Sequence, residues 1–71
     1  MTDVVRSIAD LGATARARRK QLGIRLHDAA AITGLSVGFV HDFETGKPTA
    51  RIGKALEYLN ALGLDILVRP R

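Results

Sequence analysis

The sequence has no cysteine, so neither a disulfide nor a thiolate metal site can brace the chain. It has no tryptophan, one tyrosine and two phenylalanines. Those are few rings for a single-strand binder, which stacks bases on aromatic side chains. No apolar run reaches the roughly 18 residues needed to span a bilayer, so no membrane partner is expected. The opening MTDVVRSIAD lacks a basic stretch followed by a hydrophobic core, so no secretory leader is expected and the expected compartment is the cytoplasm. No phosphate-binding loop is present. His27-Asp28 and His41-Asp42 invite a catalytic or metal reading, but adjacent residues on a helix do not face each other. The expectation is no enzyme, no metal and no cofactor.

What is present is basic charge. Eleven Lys and Arg stand against seven Asp and Glu, a formal net charge of +4, which favours polyanionic partners such as nucleic acid. With few aromatics, duplex phosphates are the better match. The 71 residues make one small domain. A chain of this length buries only about 60% of its unfolded surface, so a second copy is the expected source of further stability.

Periodicity predicts four helices. Ser7-Ile8-Ala9-Asp10 has capping-box spacing, and Ile8, Leu11, Ala15 and Leu22 recur at helical intervals, giving a first helix over about 8–22 closed by Gly23. A short helix over 26–33 stops at Gly34. Ser36 caps a third helix that runs to about Thr45, with Val40 and Phe43 on its buried side and Gly46-Lys47-Pro48 closing it. Thr49 is the expected cap of a fourth helix, 50–62, with a stripe of Ile52, Leu56, Leu59 and Leu62 and a weakening Gly53. Residues 64–69 then turn β-branched and alternating, which predicts a strand. A lone strand cannot satisfy its own backbone, and no other segment reads as a strand. Pairing with the same strand of a second copy is expected, with Leu64, Ile66, Leu67 and Val68 in the dimer interface.

Two short helices joined by Gly34-Leu35-Ser36 are the parts of a helix-turn-helix over 26–45. From Leu11 to Leu64 the chain resembles the Xre/Cro-type helix-turn-helix regulators. The resemblance rests on Leu11-Gly12, Arg16, Arg18-Arg19-Lys20, Leu22-Gly23-Ile24, Ala30, Gly34-Leu35-Ser36, Phe39-Val40, Phe43-Glu44, Gly46-Lys47-Pro48-Thr49-Ala50 and Leu62-Gly63-Leu64. It looks most like the compact HipB-type antitoxin group. The implied fold is all-α: a compact four-helix Xre/Cro-type helix-turn-helix domain with a short C-terminal β-strand used in dimerisation. The implied function is a sequence-specific repressor of double-stranded operator DNA that acts as a homodimer, serving as antitoxin and autorepressor beside a HipA-type kinase toxin. A stand-alone or phage-type repressor, and a protein-interaction module with weak DNA binding, remain open.

The resemblance also assigns residues. Arg19 and Glu44 correspond to a buried ion pair joining the first helix to the third. Val37, Gly38, Phe39, His41 and Asp42 correspond to the base-facing positions, although Phe39 equally fits a packing role. Val37 suits thymine methyls, Gly38 allows close backbone approach, His41 can donate to guanine or phosphate, and Asp42 can accept from a cytosine amino group. The absence of Gln, Asn and Arg from this face shifts weight to DNA shape and dimer spacing. Arg16, Arg18, Lys20, Arg25, Ser36, Lys47, Thr49 and Arg51 are the expected backbone contacts. Two departures from the family pattern stand out: Arg25-Leu26 replaces the usual Thr-Gln at the start of the second helix, and Ala29 replaces a larger apolar residue.

Overall fold

Local chemistry sets the ends of four helices: α1 (Ile8–Gln21), α2 (Leu26–Thr33), α3 (Val37–Glu44) and α4 (Ile52–Ala61). The structure is a computed structural model and describes residues 4–71; residues 1–3, part of the span expected to form one domain and of the opening stretch, lie outside the described residues. The Ser7 hydroxyl accepts the Asp10 N–H at 3.0 Å and opens α1. Ser36 does the same for Phe39 N–H at 3.0 Å and opens α3. Each serine satisfies one of the donors that a helix start leaves free.

Three helices end in one device. Gly23, Gly46 and Gly63 adopt φ of 72°, 90° and 75°, a region closed to most side chains. The N–H of the next residue then reaches back into the helix: Ile24 to the Arg19 carbonyl at 3.1 Å, Lys47 to Asp42 at 2.9 Å, Leu64 to Leu59 at 3.0 Å.

Packing follows from small residues. The core is Ala15, Ala29, Ala30, Val40, Phe43, Ala55, Tyr58, Leu59 and Leu62. Ala29, at the position where a larger residue is usual in the family, is buried at 2% exposure. At Gly12, α1 approaches α3 so closely that a Cβ would overlap the Phe43 carbonyl oxygen. Leu22, expected on the buried stripe of α1, is instead the C-cap and 43% exposed; Gly12 and Arg19 occupy that stripe.

Two expectations are corrected. Thr49 does not cap α4. The N-cap is Arg51, without a side-chain bond, because the Ala50 N–H closes a turn onto the Lys47 carbonyl at 3.2 Å and delays the helix. The buried stripe of α4 is Ala55, Tyr58, Leu59 and Leu62, while Ile52 and Leu56 are 55% and 44% exposed. These two lie one turn apart on the flank of that stripe.

The strand expected over 64–69 is absent: the described residues contain four helices and no strand. Leu64 packs against the core, but Ile66, Leu67 and Val68 stand in solvent. A ladder needs a second backbone, and the single chain supplies none.

Candidate nucleic-acid interface

α2, the Gly34-Leu35-Ser36 turn and α3 form the helix-turn-helix. Gly34 takes φ 73° at the tight turn, and Leu35 packs against the core. α3 buries Val40, Phe43 and Glu44. At helical spacing this turns Val37, Gly38, His41 and Asp42 to the opposite side, in two pairs one turn apart. Val37, Gly38 and His41 are exposed and Asp42 is half-buried. Nothing lies within 4 Å of where a Gly38 Cβ would stand. Phe39 differs from these four: it is half-buried, and its ring stacks on Phe43, centroids 5.9 Å apart at 17°, the packing contact that it equally fits.

The Asp42 carboxylate sits between two basic groups. His41 Nδ1 lies 3.4 Å from one oxygen and Lys47 Nζ 3.4 Å from the other. These contacts, His41 first and then Lys47, hold the Asp42 carboxyl below its ordinary pKa. His41 and Asp42 thus meet across the helix surface despite being adjacent, through a long, solvent-exposed contact and not a buried dyad. Among the described residues, no group of His, Asp and Glu could hold a metal ion.

Around this face the other polar residues distribute unevenly. Arg16, Lys20, Arg25, Ser36, Lys47, Thr49 and Arg51 are exposed. Arg25 and Arg51 are the N-caps of α2 and α4, so each sits where free backbone N–H groups already favour an anion. Leu26, beside Arg25, packs toward the core. Arg18 is half-buried and bonded within the fold. Its Nε donates to the Leu62 carbonyl at 2.9 Å and its Nη1 to Gln21 Oε1 at 3.3 Å. Two residues from both Arg16 and Lys20, it points to the other flank of α1 and caps the end of α4.

Behind the face, Arg19 and Glu44 form a two-pronged buried pair: Nε to Oε2 and Nη2 to Oε1, both at 2.8 Å. The third guanidinium nitrogen donates to the Ile24 carbonyl at 2.9 Å. Arg19 is 8% exposed and Glu44 6%. Sequence reasoning passed over Tyr58, whose hydroxyl donates to Glu44 Oε2 at 2.5 Å. The one signal in the sequence is a lone tyrosine within an apolar helix, since a buried phenol needs a partner. Burial pushes the Glu44 carboxyl up, but the hydrogen bonds from Arg19 and Tyr58 outweigh it and hold the group below its ordinary pKa. Burial, then the Glu44 bond, raises the Tyr58 phenol far above its usual value. The Glu44 bond raises Arg19, against burial.

Residues 10–71 match the family model described as a helix-turn-helix domain. The chain belongs to the helix-turn-helix family, a class of non-enzymatic regulators. It is 41% identical over 66 residues to y4mF of Sinorhizobium fredii, an uncharacterized HTH-type transcriptional regulator, covering 93% of this chain and 87% of that one. Among solved structures it resembles the HipB–O4 20mer complex, with TM-score 0.88 and 17% identity over 97% of each chain. A HipB variant in complex with an O2 20mer gives TM-score 0.89 and 17% identity, over 99% of this chain and 97% of the other. The fold is therefore the four-helix HipB fold. Among the described residues no helix is long and apolar enough to cross a membrane.

Proposed function

We propose that this protein is a homodimeric repressor that reads duplex operator DNA with the outer side of α3. The observation that carries this is the side of Val37, Gly38, His41 and Asp42, turned away from the core at the serine-capped start of α3. Basic residues flank it at the starts of α2 and α4. A helix of this kind enters the major groove by its N-terminal end. Val37 then meets thymine methyls, Gly38 lets the backbone approach, His41 donates to guanine or phosphate, and Asp42 accepts from a cytosine amino group. Ser36, Arg25, Lys47, Thr49 and Arg51 hold the phosphates, with Arg16 and Lys20 alongside. The family relationship and the fold shared with HipB support this mode.

The dimer is proposed from uncovered apolar surface. Ile52 and Leu56 on α4 and Ile66, Leu67 and Val68 on the tail are exposed in the single chain. Two tails pairing antiparallel about a two-fold axis would supply the missing ladder and cover these side chains. Half-sites would then lie about one helical turn apart, roughly 34–36 Å. Repression is by occupancy, and no bond is made or broken.

A competition gel shift at physiological salt tests this, with DNA upstream of the gene as probe and random duplex as competitor. A complex that resists at least about a thousandfold excess is expected, since specific sites bind about 10³–10⁷ tighter than random DNA. A complex lost to equal competitor would refute specific repression. The narrower role of antitoxin to a HipA-type kinase rests on the fold shared with HipB. A neighbouring kinase-like gene whose toxicity this protein suppresses on co-expression is the expected result, and unrelieved toxicity would leave a stand-alone repressor.

A further inference from the structure

We propose that Tyr58 is a positioning residue: it sets the angle of α3 against α4 and, through α4, the spacing of the two recognition helices in the dimer. The second half rests on the operator-reading dimer proposed above. α3 packs chiefly on α1 and α2, and α4 packs on α2. α3 and α4 are tied to each other through Tyr58. Its hydroxyl donates to Glu44 Oε2, and its ring meets Phe43 edge-on at 6.2 Å and 78°. Among the described residues this is the one side-chain hydrogen bond between the two helices.

A phenylalanine would supply the same ring, so the hydroxyl is what needs explaining. Tyr58 is fully buried, and a buried hydroxyl is unfavourable without a partner. Glu44 already receives two bonds from Arg19, so the ion pair is complete without a third donor. What the third bond adds is direction: it fixes the last residue of α3 to the middle of α4. α3 is eight residues long, or about 12 Å, so a tilt of about 5° at Glu44 moves its base-facing start by about 1 Å. An error of that size at each half-site separates an operator from near matches, because hydrogen bonds weaken steeply with misalignment.

The test is Tyr58→Phe in the full chain, measured twice. In DNA-free protein, amide residual dipolar couplings report the orientation of α3 against α4; the couplings of α3 are expected to change while α1 and α2 keep theirs. In gel shifts, operators with the spacer lengthened or shortened by one base pair are compared with the native spacing. The parent is expected to prefer the native spacing. The variant is expected to lose about tenfold there, equivalent to about 1.4 kcal/mol, to discriminate less among spacings, and to bind random duplex unchanged. Unchanged couplings overturn the positioning role. Changed couplings with an unchanged spacing preference overturn the link to the dimer. A parent that shows no spacing preference refutes the operator reading instead, and the couplings still decide Tyr58. Should the variant fail to fold, fluorotyrosine incorporation labels Tyr58 alone, since it is the one tyrosine. Its fluorine signal in the parent is expected to shift between operators of different spacing, and one signal on all of them overturns the proposal.

Discussion

Adding one methyl group at two glycines should move stability in opposite directions. Gly12 and Gly53 both lie inside helices, so alanine gains up to about 1 kcal/mol of helix propensity at either. At Gly53 nothing lies within 4 Å of the new Cβ, and the gain stands. At Gly12 the Cβ would overlap the Phe43 carbonyl oxygen and lie 3.4 Å from the Glu44 Cα. Both are backbone atoms of α3, so no rotamer relieves the clash and α1 must withdraw. Overpacking of this kind costs about 1–3 kcal/mol. Withdrawal also stretches the Arg19–Glu44 bonds, two turns along the same face of α1, and breaking a buried pair costs about 3–5 kcal/mol. A 71-residue domain has only about 4–11 kcal/mol in total. At about 4–8 °C per kcal/mol, Gly53→Ala is expected to melt a few degrees higher and Gly12→Ala at least about 10 °C lower. Circular dichroism at two protein concentrations separates folding from dimer mass action. A Gly12→Ala melting point equal to the parent's would refute the close α1–α3 approach on which the buried ion pair depends.

Glu44→Ala strands Arg19 at 8% exposure and frees the buried Tyr58 hydroxyl, so a loss of at least about 3 kcal/mol is expected by urea titration; an effect below about 0.5 kcal/mol would mean that the pair is open in solution. Glu44 has a lowered pKa in the fold, so its stabilisation is present above the unfolded value of about 4.3 and lost as pH falls through the folded value. The urea midpoint should drop across that window, and Glu44→Gln should flatten the drop. Deleting 65–71 keeps Leu64, whose N–H closes α4, and removes the exposed tail; a monomer by light scattering is expected, and an unchanged dimer would remove the tail from the interface.

What the sequence disclosed follows the range of each interaction. Ser7, Ser36 and the closing glycines act within a few residues, so type and spacing identify them. Thr49 has the right type but misleads, because the turn from Lys47 to Ala50 postpones the helix and a cap read by type alone takes no account of backbone direction. Arg16, Arg18 and Lys20 look like one basic set in the linear sequence. Helical rotation puts Arg18 on the other flank, which was open to calculation. Arg19 stood out as a charge close to an apolar stripe, and the family resemblance supplied its partner 25 residues away. Tyr58 lies off the stripe expected for α4, and a lone tyrosine signals at most that its hydroxyl needs a partner; only the folded chain brings that hydroxyl to Glu44. The largest apolar residues of α4 point to a stripe through Ile52 and Leu56, whereas the packed side uses Ala55 and Tyr58. Ile52 and Leu56 stay exposed in the single chain, where the proposed dimer would cover them.

A face without Gln, Asn or Arg can select a sequence by rejecting wrong ones. Asp42 holds both His41, on the proposed base-reading surface, and Lys47 at 3.4 Å. On random duplex, a phosphate must draw Lys47 away from Asp42 and leave a carboxylate facing the phosphate backbone. On a site that presents a cytosine amino group, the carboxylate gains a donor and Lys47 is released without loss. If α3 reads bases as proposed, Asp42 would act chiefly against wrong sequences, the repulsive half of specificity. Asp42→Asn removes the repulsion while keeping an acceptor oxygen. Affinity for random duplex should therefore rise about tenfold, operator affinity should change less, and the ratio between them should narrow. Gel shifts on both duplexes at one salt concentration decide it. A ratio that stays constant or widens would show that Asp42 is a bystander on the helix surface, and would return the burden of specificity to Val37, Gly38 and the shape of the DNA.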